Sequence, residues 1–312
     1  MHQVFIDGEA GTTGLQIRQR LEGLTDITLI RLDDGRRKDA SARAEALRAA
    51  DVAILCLPDQ AARDAVALVT DATTRLIDAS TAHRVADGWV YGFAEMQAGQ
   101  AEAIAHARFV ANPGCYPTGA IGIIRPLVTA GLLPNGYPVT INAVSGYTGG
   151  GKTLIARMED PTVDNATDAP FFVYGLTLAH KHLPEITAHA GLDRPPVFLP
   201  SVGRFAQGMI VQLPLHLADL PGAPSPADIR QGLTDHYAAM AGAVRVASAS
   251  ESAAVKELDP RLLNHSDAML IHVFGNAAGD QAVVMAVLDN LGKGASGAAV
   301  QNLDLMLGRS AD

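Results

Sequence analysis

From residue 1 to about residue 112, short apolar runs alternate with amphipathic or alanine-rich stretches. This is the rhythm of βαβ units and a mostly parallel sheet. Strands are predicted at residues 4–6, 27–32, 52–57, 75–78 and 108–110, and helices at 14–21, 40–49 and 60–69. Pro58 should stop the third strand, because proline cannot donate to a sheet ladder. Beyond Cys115 the pattern changes: one helix over about 118–130 precedes longer apolar strands at 139–144, 209–217, 269–274 and 281–288, with fewer helices between them. That suits an α+β domain built on a mixed or antiparallel sheet. A glycine-rich turn after Asp289 leads to a last helix at 296–307, and the proline-rich segment 220–226 reads as a surface connection.

The fold predicted is α/β: an N-terminal Rossmann dinucleotide-binding domain, residues 1–114 joined by the C-terminal segment 290–312, and a catalytic and oligomerisation domain at 115–289. Its first βα turn reads Gly8-Glu9-Ala10-Gly11-Thr12-Thr13-Gly14. Glycines there permit a tight turn and close approach of the main chain to a pyrophosphate, and the helix start offers free N–H groups. Gly8, Gly11, Thr12, Thr13 and Gly14 are therefore candidate cofactor ligands. After the second strand, where an NAD site would place one acid, the chain carries Arg36-Arg37-Lys38. Three cations can pair with a 2′-phosphate, which favours NADP; the competing reading is that they open a solvated helix.

Charge and composition narrow the partners. A formal net charge of -9 argues against nucleic acid, which draws on a basic face. The expected partner is a small molecule. No basic n-region with a long apolar stretch opens the chain, and no apolar run approaches the ~18 residues of a membrane helix, so a cytoplasmic protein with no membrane partner is expected. The two cysteines are too few for a disulfide framework.

Those cysteines differ in setting. Cys56 lies inside the apolar run Val52-Ala53-Ile54-Leu55-Cys56-Leu57 and reads as a small buried hydrophobe. Cys115 follows a Pro-Gly turn in Asn112-Pro113-Gly114-Cys115-Tyr116-Pro117-Thr118, just ahead of a helix whose dipole favours an anion. Lowering a thiol pKa by ~2 units from ~8.5 makes the thiolate dominant near neutrality, so Cys115 is the candidate nucleophile.

This segment and the glycine loop resemble the shorter form of the N-acetyl-γ-glutamyl-phosphate reductases of arginine biosynthesis. The likeness continues through Asp78-Ala79-Ser80-Thr81-Ala82-His83-Arg84, Trp89-Val90-Tyr91-Gly92, His180-Lys181-His182-Leu183-Pro184-Glu185, Ser201-Val202-Gly203-Arg204-Phe205 and Gly292-Lys293-Gly294-Ala295-Ser296-Gly297. The resemblance implies the semialdehyde dehydrogenase architecture and a reaction in which Cys115 attacks an acyl phosphate, phosphate leaves, and NADPH reduces the thioester to the semialdehyde. It also implies His180 as the acid/base partner, with His182 and Glu185 behind it, Tyr174 and Arg84 at the substrate, Ser80 at the cofactor, and a homo-oligomer. An exposed face on the second domain's sheet would make a dimer or tetramer reasonable.

Several alternatives stay open in the sequence. The spacing His180-x-His182 with a nearby carboxylate is ligand-like, although no further His/Cys set accompanies it and no metal is expected. Thr148 and Gly149 are further substrate candidates, in a turn that departs from the longer family members' Ser-Gly-Ala-Gly-Arg run. That turn, residues 146–153, also satisfies G-x-x-x-x-G-K-[ST] and could pose as the P-loop of a phosphotransferase, which would leave the first glycine loop and Cys115 without a role. A redox-inactive NADP-binding regulator is a third class. Other cysteine dehydrogenases acting on phosphorylated carboxyls spell the nucleophile segment differently, whereas a substrate one methylene longer is separated by only ~1–3 kcal/mol.

Overall fold

The computed structural model describes residues 1–309 apart from Ala72 and Ala241; residues 310–312 of the expected C-terminal segment lie outside the described residues. The chain divides into two compact units, one comprising 1–94, 99–114 and 295–312 and the other 95–98 and 115–294.

The first unit runs β1 (His2–Asp7), α1 (Thr12–Leu21), β2 (Ile27–Ile30), α2 (Ala40–Ala49), β3 (Val52–Leu55), α3 (Asp59–Ala67), β4 (Arg75–Asp78), β5 (Val90–Tyr91), α4 (Gln100–His106) and β6 (Phe109–Ala111). Its strands form a parallel sheet in the order β2-β1-β3-β4-β6-β5. Successive strand residues point to opposite faces, and the sequence uses both. Val4, Ile6, Ile54 and Ile77 pack with Ile17 and Leu21 of α1 and Ile104 of α4. Phe5, Ala53, Leu55 and Leu76 pack with Ala46 and Leu47 of α2 and Ala65 of α3.

The second unit follows as α5 (Cys115–Thr129), β7 (Thr140–Gly146), α6 (Gly151–Glu159), β8 (Phe171–Val173), α7 (Leu183–Ala190), β9 (Val197–Gly203), β10 (Met209–His216), α8 (Pro226–Ala238), β11 (Val244–Val246), α9 (Ala249–Ala254), β12 (Met269–Gly275) and β13 (Gln281–Leu288). The chain then returns to the first unit as α10 (Gly297–Leu307), whose Ala299 and Leu303 join the α1 side of that core. The second sheet is mixed, ordered β11-β12-β13-β10-β7-β9-β8, and helix α5 packs against β10 and β13 of it and against α7 and α8. Its β8–β9 edge leaves Phe171, Val173, Val197 and Leu199 exposed.

Several details depart from the sequence reading, among them β5, α4, β8 and β11, which lie where no element is expected. Helix α5 begins at Cys115 rather than near Thr118, because Pro117 sits in the first turn, where its missing N–H has no intrahelical partner to lose. The helices of the second unit are more numerous than apolar periodicity suggested. Strand β9, which carries Pro200 inside it, is also not among the strands expected.

Candidate active site

In the first unit the glycine loop closes tightly onto the end of β3. Gly8 has φ +92, and a Cβ there would lie 2.4 Å from the Cys56 carbonyl oxygen, so no other residue fits without displacing main chain. The Gly11 N–H donates to the Gly8 carbonyl at 3.0 Å, and α1 starts at Thr12 with no acidic side chain in its first turn and no side-chain cap. An anion could therefore meet open N–H groups and the positive end of the helix dipole. Beside it lies a cleft of about 400 Å³ lined by Asp7, Gly8, Glu9, Ile30, Leu32, Arg37, Lys38 and Arg43, among others. The Arg36-Arg37-Lys38 run lies in the turn before α2, whose helix opens instead on Asp39, which caps it by accepting the Ala42 N–H. Arg36 reaches Glu45 at 3.4 Å on the surface and Arg37 reaches Asp34 at 3.1 Å.

At the end of β4, buried Asp78 organises the next segment. It accepts the Ser80 N–H at 2.9 Å and hydroxyl at 2.7 Å, and holds His83 Nδ1 at 2.6 Å. The His83 ring stacks on Trp89 at 4.2 Å. Arg84 is buried, donating from Nε to the Asn112 carbonyl at 3.0 Å and from a terminal nitrogen to the Ala79 carbonyl at 3.1 Å. Arg84 thus braces the loop that leads toward Cys115. Asn112 is also fixed from α10, accepting from Asn302 Nδ2 at 3.0 Å.

In the second unit Cys115 is the first residue of α5, where the helix dipole favours a thiolate. A Cβ at Gly294 would lie 2.9 Å from the Cys115 Cβ, so glycine there leaves the cysteine its space. The Gly294 N–H is tied to the Asp289 carbonyl at 2.9 Å. Around the cysteine, burial raises the hydroxyl pKa of Tyr116 well above its ordinary value and that of Tyr174 to about 12, with smaller upward contributions from neighbouring acidic groups, Cys115 among them. Both phenols stay protonated and can donate.

His180 packs edge-on against Tyr116, Tyr174 and Phe198, with ring centroids 6.3, 5.6 and 5.2 Å away. Burial first, and the neighbouring Lys181 charge second, lower its pKa to about 4, so the ring is neutral near pH 7. Its Nδ1 accepts the His182 N–H at 3.1 Å. The neutral ring consequently carries its proton on Nε2 and presents a donor. His182 is buried at the start of α7, with Nε2 4.0 Å from Oε1 of buried Glu185. Among the described residues no three His, Cys, Asp or Glu side chains are grouped to hold a metal.

Thr148 is engaged within the protein: its hydroxyl donates to the Ala206 carbonyl at 2.5 Å and accepts from Asn290 Nδ2 at 3.1 Å. Gly149 lies against Asn290 and Ser145, 3.5 Å from each for a Cβ built on it. The P-loop resemblance of 146–153 also fails locally. The N–H groups of Gly146, Tyr147 and Thr148 are spent on the carbonyls of Gly208, Phe205 and Ala206, and Leu154 fills the space over Gly150. A phosphate cradle needs such N–H groups free and converging.

Sequence reasoning missed Arg43, Gly294, and Asp289, which is fully buried and fixes the loop behind Cys115 by accepting the Leu291 N–H at 2.8 Å and the His265 N–H at 2.7 Å. It also missed the buried pair of Lys293 and Glu95, whose carboxylate oxygens lie 2.8 and 2.7 Å from Nζ. The Gly-Lys-Gly spelling at 292–294 was the available signal for a crowded turn.

The two units correspond to two family models: the semialdehyde dehydrogenase NAD binding domain matches residues 30–106 and the semialdehyde dehydrogenase dimerisation domain matches residues 115–290. The chain belongs to the semialdehyde dehydrogenase family, within it to the N-acetyl-gamma-glutamyl-phosphate reductases. Proteins of that name from Rhizobium meliloti (strain 1021) and Rhizobium etli (strain CIAT 652) are 58% and 57% identical to it, over 98% of each chain. One from Brucella anthropi is 56% identical over 98% of this chain and 99% of its own. Among solved structures, aspartate semialdehyde dehydrogenase II of Vibrio cholerae, complexed with ASA, superposes with a TM-score of 0.69 at 13% identity, covering 99% of this chain and 98% of that one. The Candida albicans aspartate semialdehyde dehydrogenase with NADP gives a TM-score of 0.66 at 11% identity, covering 98% of this chain and 99% of that one. Among the described residues no helix is long and apolar enough to cross a membrane.

Proposed function

We propose that this protein reduces N-acetyl-γ-glutamyl phosphate to N-acetyl-glutamate 5-semialdehyde with NADPH, releasing phosphate through a thioester on Cys115. The observation that carries the reading is the placement of Cys115 at the first position of α5, against Gly294 and with Tyr116, Tyr174 and neutral His180 in one cluster. The names and whole-length similarity of its relatives supply the substrate.

In this reading the Cys115 thiolate attacks the acyl carbon, and the tetrahedral centre expels phosphate to leave the thioester. A reduced nicotinamide held by the first unit would supply the hydride that reduces the thioester. The resulting alkoxide collapses, the C–S bond breaks, and the aldehyde leaves with Cys115 again a thiolate. His180 Nε2–H donates to the acyl oxygen as charge gathers there, the neutral imidazole acting as a fixed donor. Protonated Tyr174 and buried His182, backed by Glu185, shape the substrate side of this cluster. In the second unit the turn at Thr148 and Gly149 meets an anionic end of the substrate; in the first, Arg84 holds the Asn112 and Ala79 carbonyls.

The first unit takes the dinucleotide: Gly8, Gly11, Thr12, Thr13 and Gly14 meet the pyrophosphate, Ser80 orders the end of β4, and Arg37 and Lys38 in the cleft after β2 meet a 2′-phosphate. The residues fit such a group, since an uncapped helix start and a cleft with three cations converge there. The second unit assembles copies of the chain through its exposed β8–β9 edge. A light-scattering mass at a multiple of 32.6 kDa supports this, and the mass of one chain contradicts it.

The test is phosphate-dependent oxidation of N-acetyl-glutamate 5-semialdehyde by the wild type and Cys115→Ala. Abolished turnover with unchanged NADP binding is the expected result. Appreciable turnover by the alanine variant would overturn the covalent mechanism.

A further inference from the structure

The cleft beside the glycine loop contains a cation that lies outside the Arg36-Arg37-Lys38 run. Arg43 is the fourth residue of α2, on the same helical stripe as the core residues Ala46 and Leu47, three and four positions on. It therefore points inward, toward the end of β1. There Asp7, the last residue of β1, is buried at 4% exposure and would place a bare carboxylate where a dinucleotide's anionic groups approach. Arg43 answers it from one edge: Nε and one terminal nitrogen both donate to Asp7 Oδ2, at 3.0 and 2.7 Å.

The other terminal nitrogen of Arg43 has no protein partner among the described residues, and neither has the Lys38 ammonium. Both residues line the cleft together with Arg37. The cleft's ionisable lining is three cations against Asp7 and Glu9, a local positive excess in a chain of net charge -9. Glu9 has its own cation nearby, Arg31 at 3.9 Å. Arg36, the first of the sequence run, is not in the lining and faces Glu45.

We infer that Arg43, pre-oriented by Asp7, is the principal discriminator of a ribose 2′-phosphate, with Lys38 and Arg37 completing the site and Arg36 outside it. This rests on the proposed function, whose dinucleotide it makes specific. A guanidinium with one edge fixed loses little freedom on meeting a phosphate with the other, and each charge-assisted bond is strong because its donor is already in place. Asp7 is a positioning residue, its carboxylate accepting both hydrogen bonds from Arg43.

Dissociation constants for NADPH and NADH, by calorimetry on the full-length protein, test the inference without reference to turnover. Because Arg43→Met alone would orphan the Asp7 carboxylate, the informative variant is Asp7→Asn with Arg43→Met. NADPH binding should weaken roughly 10- to 100-fold, the loss of one or two charge-assisted bonds, while NADH binding changes less than about threefold. Arg36→Met should leave the NADPH-to-NADH ratio within about twofold of wild type. A double variant that keeps the wild-type preference, or a wild type with no preference for NADPH, overturns the inference. Equal weakening of both cofactors also overturns it, placing Arg43 at the pyrophosphate or in the scaffold. A wild type that binds neither dinucleotide removes the proposed function itself, which is a separate failure.

Discussion

The end of β3 and the start of α5 each carry a cysteine, and their surroundings give the two thiols opposite chemistry. Cys56 follows the last residue of β3, where burial and then the Asp78 and Asp7 carboxylates push its pKa up to about 12. Cys115 opens a 15-residue helix, in a turn kept clear by Gly294, beside two protonated phenols and a neutral imidazole. A thiol of the same intrinsic acidity becomes structural or nucleophilic according to the dipoles and charges around it.

The widest expected separation is in alkylation. At pH 7 a thiol of pKa about 12 is ionised to roughly one part in 10⁵, so iodoacetamide should modify Cys115 at least about a thousandfold faster than Cys56. Peptide mapping against time reads this, and comparable rates would erase the distinction drawn between the two regions.

Next comes His180. His180→Ala should lower turnover roughly 10²- to 10⁴-fold if the ring donates a proton or hydrogen bond to the reacting acyl group. Its pKa of about 4 lies below the ordinary 6.5, so its neutral form is favoured by folding. The stability this contributes is full above about pH 6.5 and is lost as pH falls through about 4. Urea midpoints measured from pH 7 to 4.5 should therefore fall further for wild type than for His180→Asn. A loss in turnover confined to His182→Ala would move the donor role to that residue.

The smallest of these effects concerns space rather than charge. In Gly294→Ala the new methyl meets the Cys115 Cβ at 2.9 Å and the Asp289 carbonyl oxygen at 3.1 Å, so Cys115 or its loop must shift. A displacement approaching 1 Å costs on the order of 10² in rate. Unchanged kcat in a folded variant would show that the contact has no bearing on the reaction.

How far the sequence disclosed these regions follows from the range of the forces involved. The parallel sheet was legible because its apolar strands alternate with amphipathic helices, and the glycine loop because a strand runs straight into it. Cys115 stood out because it follows Pro113-Gly114 and lies on no apolar stripe. Helix α8 could have been found: Ser225 and Asp228 form a capping box with Pro226 in the first turn. Strand β9 could not be read from propensity, since Pro200 argues against it and only pairing with β7 and β8 sustains it. Arg43 and Gly294 matter through partners 36 and 179 positions away in the chain, Asp7 and Cys115, and a single sequence does not display such pairings.

Cys115 as acyl carrier is the central claim, and the most direct measurement is the mass of the protein itself. Wild type mixed with N-acetyl-glutamate 5-semialdehyde and NADP⁺ in the absence of phosphate, then quenched in acid, should carry one N-acetylglutamyl group as a thioester on the peptide containing Cys115. Addition of phosphate before the quench should discharge it. An unmodified Cys115 in the phosphate-free mixture, from enzyme that turns over once phosphate is added, or an acyl group on another residue, would contradict the account.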